Sequence, residues 1–255
     1  MNRYLITAVM PSLNEEGNLA AAMANVLEGY ARFGIAGQVI VVNDGSSDRT
    51  GEIAEEFAAR HENVGVIHHP SPQGIGASFW DGVRSAGGEL VTMIPGDGEN
   101  DAAEILRYLP LLEQVDIIVP FVFNREVRSF RRRLLSILYR EIIKASFGLS
   151  LNYMNGTVVY RRSIFAGIEL QCSGFFYQTE LLIKTIKRGY LYAEVPYALK
   201  LRSGGQSKAT SFSSLKKVAR AYLQTFAAIH FGNSHEGTVV PESVTATRLQ
   251  EIKKP

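Results

Sequence analysis

Asp97 and Glu99 stand two residues apart in the stretch Val91-Thr-Met-Ile-Pro-Gly-Asp-Gly-Glu-Asn100. Two carboxylates so spaced on one loop can share a hard divalent cation, Mg²⁺ or Mn²⁺. Such a cation takes oxygen ligands and commonly a substrate phosphate as well. The plainer reading is an acidic surface turn, because Asp, Gly and Asn are ordinary turn residues. A second carboxylate, Asp44, leaves the apolar run Gln38-Val-Ile-Val-Val-Asn43. There it can accept hydrogen bonds from a base or a ribose, or it can belong to a turn in which Ser47 or Asp48 caps the next helix.

The elements around these residues decide where they sit. Leu90 to Ile94 has the length of a buried strand, and Asn100 or Asp101 can cap the helix after it, expected over Ala102 to Leu112. Further strands are predicted at Tyr4–Met10, Gln38–Asn43, Val64–His68 and Asp116–Pro120. Helices are predicted from Glu15 to Phe33 with Asn14 as its cap, from Asp48 onward, and after Gly74-Ile-Gly76. Strands alternating with helices of this length mean βαβ units and a mostly parallel sheet. In such a sheet, ligands sit at loops leaving the carboxyl ends of the strands. Pro11–Glu15, Asn43–Thr50 and Pro95–Glu99 all reach that edge.

The second half is less regular. Helices are expected at Ser129–Phe147, Phe176–Lys187 and Ser213–Phe231, with strands at Gly156–Tyr160 and Tyr192–Val195. The tail after Gly232 reads as polar, aperiodic and mobile.

Composition narrows the classes. The chain has 255 residues, 46% hydrophobic and 20% charged, enough for a full core and too apolar for disorder. Its net charge of +2 is too small to announce a nucleic-acid binder. One cysteine, Cys172, excludes an internal disulfide and a cysteine-rich zinc site, and fits a reducing compartment. No stretch approaches the ~18 apolar residues of a membrane span, and the N-terminus lacks a signal-peptide pattern. A cytoplasmic protein is expected, soluble or peripheral on the inner face of the membrane. His68 and His69 lie at a strand end without metal-ligand spacing and read as structural or surface residues.

Pro-Ser-Leu-Asn-Glu-Glu-Gly-Asn-Leu19, followed by Val-Val-Asn-Asp-Gly-Ser-Ser-Asp-Arg-Thr50, resembles the opening of the inverting family-two glycosyltransferases. The resemblance runs from about Tyr4 to Lys208 and is nearest to the polyprenyl-phosphate sugar transferases of the dolichyl-phosphate mannosyltransferase type. It implies an α/β fold of the GT-A kind, Rossmann-like, with a mostly parallel central sheet flanked by helices. The catalytic domain would span 1–211, followed over 212–255 by an amphipathic helix and a polar tail. A dinucleotide-binding oxidoreductase is disfavoured, since Gly74-Ile-Gly76 lacks the third glycine and follows the third strand.

By the same resemblance, Pro11, Leu13, Glu15, Val42, Asp44 and Gly96 would line the donor nucleotide. Asp97 would hold the metal, with Glu99 beside it, and Arg202, Ser207 and Lys208 would grip the diphosphate. The chemistry agrees: a departing nucleoside diphosphate gains negative charge, which a divalent cation and an Arg–Lys pair stabilise. Glu180 matches an acidic position on the helix beneath the acceptor. It is the base candidate if the acceptor is a sugar hydroxyl. A polyprenyl phosphate would need little base, its oxygen being anionic already.

The chain departs from the family at two places. Pro95 replaces the first aspartate of the Asp-x-Asp motif, which leaves a non-catalytic nucleotide-sugar-binding protein as an alternative. On the acceptor side, Asn152-Tyr-Met-Asn-Gly-Thr157 and Pro120-Phe-Val-Phe123 differ from the lipid-phosphate branch. A basic helix bears on the acceptor. Arg125, Arg128, Arg131, Arg132, Arg133, Arg140 and Lys144 surround Phe130, Leu134, Leu135, Ile137, Leu138, Ile142 and Ile143. Such a helix can lie on an anionic membrane, or it can pack its apolar face on the sheet with its charges in water.

Overall fold

An apolar run without polar interruption forms a stable strand only where both faces of the sheet are covered. β1 (Tyr4–Ser12) comes close to such a run, with Thr7 its one polar residue before Ser12, and it is buried from Ile6 through Ser12. In the computed structural model, which describes residues 4–124, 130–198, 212–232 and 239–252, it lies inside a seven-stranded sheet. The side chains of 130–133 and 212–215 fall outside that description. The other strands are β2 (Gly37–Asn43), β3 (Val64–His68), β4 (Gly88–Met93), β5 (Ile117–Val122), β6 (Val159–Arg161) and β7 (Tyr192–Tyr197). Their order is β3-β2-β1-β4-β6-β5-β7. Only β6 runs antiparallel, between β4 and β5. It is shorter than the sequence suggests.

Alternation along β1 sends Ile6, Ala8 and Met10 to one face and Val9 to the other. The first face is covered by α1 (Leu19–Phe33) through Leu19, Met23 and Val26, and by α4 (Ala102–Leu106) through Ile105 and Leu106. α2 (Thr50–Arg60) adds Ala54 to the same cluster. The second face carries α3 (Ile75–Ser85), α5 (Phe130–Phe147), α6 (Tyr177–Lys187) and α7 (Phe212–Phe231). Their contributions include Phe79, Phe147, Leu181 and Ile229. The result is the mostly parallel sheet flanked by helices that the alternating pattern predicts.

Three local expectations are corrected. α1 begins at Leu19, not Glu15, and neither Glu15 nor Glu16 is in its first turn. Asn14 does not cap it; Asn14 is left-handed (φ 57°), and its Oδ1 accepts from the Ser47 amide at 2.9 Å. The helix expected over Ala102–Leu112 breaks after Leu106 and resumes as a 3₁₀ turn at Leu109–Glu113. Pro110 accounts for this, because proline lacks the N–H and restricts the residue before it. The third concerns the tail, which contains α8 (Val244–Ile252).

α8 is fastened by Asp116, a fully buried carboxylate just before β5. Asp116 accepts from the Val244 amide at 2.8 Å, the Thr245 amide at 3.0 Å and Arg161 Nε at 3.2 Å. It also accepts from the Thr245 hydroxyl. Removing it strands a guanidinium and a helix N-terminus among buried groups. Asp116→Ala is therefore expected to lower stability by about 3–5 kcal/mol, read as a lower midpoint in urea. An unchanged midpoint would show that α8 is not held through this carboxylate.

Candidate active site

The register brings three loops to one edge. Ser12 pairs with Asn43, and Val9 with Met93, so β1, β2 and β4 end side by side. Beyond the strands the loops are laced together. Asp44 N donates to Ser12 O at 2.9 Å, and Gly96 N to Pro11 O at 3.2 Å. Asn14 N donates to Ser46 Oγ at 3.0 Å, Glu15 N to Thr50 Oγ1 at 2.8 Å, and Arg49 N to Glu16 Oε2 at 3.2 Å. Asp48 accepts from the Thr50 amide at 3.0 Å in the turn before α2, but the N-cap of that helix is Arg49, so neither Ser47 nor Asp48 occupies the cap position expected for it. The sequence-adjacent polar groups thus build one surface from the first two loops, with the acidic loop beside it.

In the acidic loop, Gly96 is buried, while Asp97 and Glu99 are half-buried. A Cβ at Gly96 would stand 2.4 Å from Ser12 Oγ and 3.1 Å from Leu19 Cδ1, so a larger residue there would have to displace the Ser12 and Leu19 side chains at the end of β1. Asp97 Oδ1 accepts from the Glu99 amide at 3.1 Å, which folds the loop back on itself. Asp101 caps α4, accepting from the Ala103 amide at 3.0 Å. One or two carboxylates, with diphosphate oxygens and waters completing the shell, suffice for Mg²⁺ or Mn²⁺, and Asp97 with Glu99 fits that donor set. Pro95 contributes no ligand. Among the described residues no cluster of three metal-ligating side chains is assembled, so the diphosphate would have to supply much of the shell.

The remaining predicted donor residues divide. Leu13 and Glu15 are half-buried at the edge, whereas Pro11 and Val42 are buried in the sheet. Asp44 is only 4% exposed, and its carboxylate is already engaged. Oδ1 accepts from the Gln73 amide at 2.8 Å and lies 2.8 Å from His69 Nδ1; Oδ2 accepts from the Gly74 amide at 2.9 Å. Asp44 therefore organises the 69–74 loop, and a nucleotide beside it would meet that loop. Arg202, Ser207 and Lys208 lie outside the described residues. Their segment follows β7, where Tyr197 donates to Asn100 Oδ1 at 2.7 Å and the Ala198 amide to Glu104 Oε2 at 3.1 Å. The last described residues before the basic segment are thus tied to the acidic loop's own helix.

Glu180, expected beneath the acceptor, is fully buried. Its oxygens accept from the Gln171 and Cys172 amides, both at 2.9 Å, and from Lys184 Nζ at 2.5 Å. All three donors belong to the protein, and the fully buried carboxylate has no face open to solvent. Its visible work is to fix the loop at 171–172, next to Ser173, whose carbonyl accepts from Gly76 N at 2.8 Å. Burial pushes the Cys172 thiol up, in keeping with an unreactive cysteine. Arg125 and Arg128 lie outside the described residues. Arg131, Arg132 and Arg133 are on α5, their side chains not described. Further along α5, Arg140 Nη1 donates to Asn152 O at 2.9 Å, and the Asn152 amide donates to Glu194 Oε1 at 2.7 Å. That pair anchors the segment in which this chain departs from the lipid-phosphate branch.

His69, read from the sequence as structural or surface, is buried between Asp44 and Asp81. The available signal was only that it follows a strand ending beside Asn43, which is weak without the fold.

The profile of glycosyl transferase family 2 matches residues 7–168, and the chain belongs to that family. Among its curated relatives is the polyprenol monophosphomannose synthase of Mycolicibacterium smegmatis. It is 29% identical over 215 residues, covering 78% of this chain and 79% of that one. The undecaprenyl-phosphate mannosyltransferase of Micrococcus luteus is 24% identical over 217 residues, covering 80% and 86%. The dolichol-phosphate mannosyltransferase of Pyrococcus furiosus is 26% identical over 226 residues, covering 84% and 63%. Among solved structures, glucosyl-3-phosphoglycerate synthase of Mycobacterium tuberculosis, in complex with Mn²⁺, UDP-glucose and phosphoglyceric acid, superposes with a TM-score of 0.68. The identity is 19%, and the match covers 88% of this chain and 80% of that one, a likeness of fold.

Proposed function

We propose that this chain transfers a sugar from a UDP- or GDP-linked donor to a polyprenyl phosphate at the membrane surface, with inversion at the anomeric carbon. The observation that carries the reading is the convergence of the Ser12–Glu16, Asn43–Thr50 and Pro95–Glu99 loops on one sheet edge. The names of the curated relatives support the lipid-phosphate acceptor. The Mn²⁺ and Mg²⁺ complexes of the structural neighbour support a divalent metal.

Asp97, with Glu99, would hold that metal, and bound there it would neutralise charge developing on the departing diphosphate. Arg202, Ser207 and Lys208 would hold the same diphosphate from the segment after β7. The acceptor phosphate carries its own negative charge, so attack needs no proton removed. The commitment of Glu180 to three donors supports this acceptor over a sugar hydroxyl, which would require a base.

α5 supports the membrane contact. Ile143 and Phe147 are buried against the sheet, whereas Leu134, Leu135, Leu138 and Ile142 are 57%, 54%, 57% and 43% exposed. The helix thus packs one apolar set and leaves another in the open, beside the sequence's run of arginines. Such a patch marks an interaction site, and basic residues next to it favour anionic lipid. No described helix is long and apolar enough to cross a membrane. Burying two leucines contributes roughly 3–6 kcal/mol when complete. In sedimentation with phosphatidylglycerol vesicles, Leu134→Ser/Leu138→Ser is expected to lose at least about tenfold in partitioning. Equal partitioning of variant and wild type would remove α5 from the membrane contact.

Pro95 favours a second reading, a nucleotide-sugar-binding protein without turnover. Titration of UDP and GDP with and without Mn²⁺, followed by an assay of donor hydrolysis and transfer, separates the two. Metal-dependent binding with neither hydrolysis nor transfer would establish the binding protein.

A further inference from the structure

His69 follows β3, and its side chain is 6% exposed. Nδ1 lies 2.8 Å from Asp44 Oδ1, and Nε2 lies 3.2 Å from Asp81 Oδ2 on α3. Asp81 is itself paired through Oδ1 with Arg84 Nη1 at 3.0 Å. The ring is therefore bracketed by two carboxylates, the outer one tied to a guanidinium. The neighbouring His68 takes no part in this bracket; it faces Asn43 Nδ2 at 3.0 Å and Glu55 at 2.8 Å.

The bracket bears on the loop that follows. The Asp44 oxygen that meets His69 also accepts from the Gln73 amide, and its other oxygen accepts from Gly74. The His69 amide donates to Asn43 O at 2.9 Å, so both ends of the 69–74 loop close on the end of β2. Between them the chain crosses Gly45 (φ 70°), where a Cβ would stand 2.6 Å from Ser71 carbonyl carbon. Gly45 belongs to the loop read as the nucleotide wall. Histidine, aspartate and two loops thus make one unit, in which the imidazole fixes the rotamer of the carboxylate that fixes the backbone.

We propose that His69 is a positioning residue for donor binding: clamped between Asp44 and Asp81, it holds Asp44 on the Gln73 and Gly74 amides and so sets the wall formed by the 44–50 and 69–74 loops. This rests on the reading that the donor's base and ribose lie beside Asp44. His69 touches no reacting atom. Its loss loosens the donor's seat and leaves the chemical step alone, so the effect falls on KM and not on kcat.

His69→Phe keeps a ring and removes both contacts. Asp81→Asn, at a side chain 32% exposed, removes the charge facing His69 Nε2 and Arg84 while leaving the contact with Asp44 in place, and decides the question should His69→Phe fail to fold. The assay is hydrolysis and transfer of UDP-glucose and GDP-mannose with Mn²⁺, with amide exchange at Gln73 and Gly74 followed in the same samples. The expected result is a donor KM raised about tenfold by His69→Phe and roughly threefold by Asp81→Asn, with kcat within about twofold and faster exchange at both amides. An unchanged KM, or a fall in kcat that tracks the folded fraction alone, would overturn the role given to His69. Absence of nucleotide binding by the wild type would instead overturn the donor reading, and the role with it.

Discussion

Asp97→Ala is expected to abolish metal-dependent binding of the nucleotide-sugar donor and to reduce transfer by about 10²-fold or more, while the protein still folds. Pro95 makes the expected loss large. In a loop with two aspartates one could compensate for the other; here only Glu99 remains. The fold is expected to survive because Asp97 is half-buried on a loop, where its Oδ1 accepts from the nearby Glu99 amide. Losing that bond costs about 1 kcal/mol, a fall of roughly 2–4 °C in Tm. Calorimetric titration of UDP and GDP with and without Mn²⁺ checks the binding, and a thermal melt checks the fold. Wild-type, Mn²⁺-dependent affinity in the variant would place the metal elsewhere.

Glu180 carries the second large effect, and here the expected loss is stability. The carboxylate is fully buried, and its partner Lys184 has a side chain only 12% exposed. Glu180→Ala leaves that ammonium and two loop amides without their acceptor, at a cost of about 3–5 kcal/mol and a Tm lower by roughly 10 °C. Glu180→Gln keeps the shape but turns a donor group toward donors, so it is expected to be destabilising too. The contrast with a catalytic base is direct. Removing a base lowers kcat by about 10²–10⁴ while leaving the melt unchanged. A Glu180→Gln variant with wild-type stability and a collapsed kcat would restore the base and, with it, a hydroxyl acceptor.

The parts of this molecule that the sequence makes legible are those written in contiguous residues. β1, β2 and β4 are apolar runs buried on both faces, each ending in a polar turn, so strand, face and site edge can all be read along the chain. The two opening motifs and the acidic loop are likewise local. The illegible parts are contacts between distant residues. Asn14 looks like a helix cap because asparagine before an apolar periodicity usually is one, yet its side chain is spent on Ser47, 33 residues away. His69 looks unremarkable until the fold sets it against Asp44, 25 residues back. The tail after Gly232 lacks periodicity, and α8 is fastened by a carboxylate 129 residues distant from Thr245. Glu180 shows a subtler failure: its position was readable, but its role depended on which groups fill its lone pairs. Residue type can nominate a carboxylate for chemistry, and only its surroundings show whether it is available.

The most direct measurement is an assay of product. The full-length protein is incubated with Mn²⁺, labelled UDP- or GDP-sugars, and vesicles carrying a polyprenyl phosphate, and the lipid fraction is analysed by mass spectrometry and NMR. The proposed function predicts a sugar joined to the lipid through one phosphate, inverted at the anomeric carbon, and absent with Asp97→Ala. Donor consumed with the label recovered only on a glycan or in water, or no turnover of any donor despite tight binding, would contradict it.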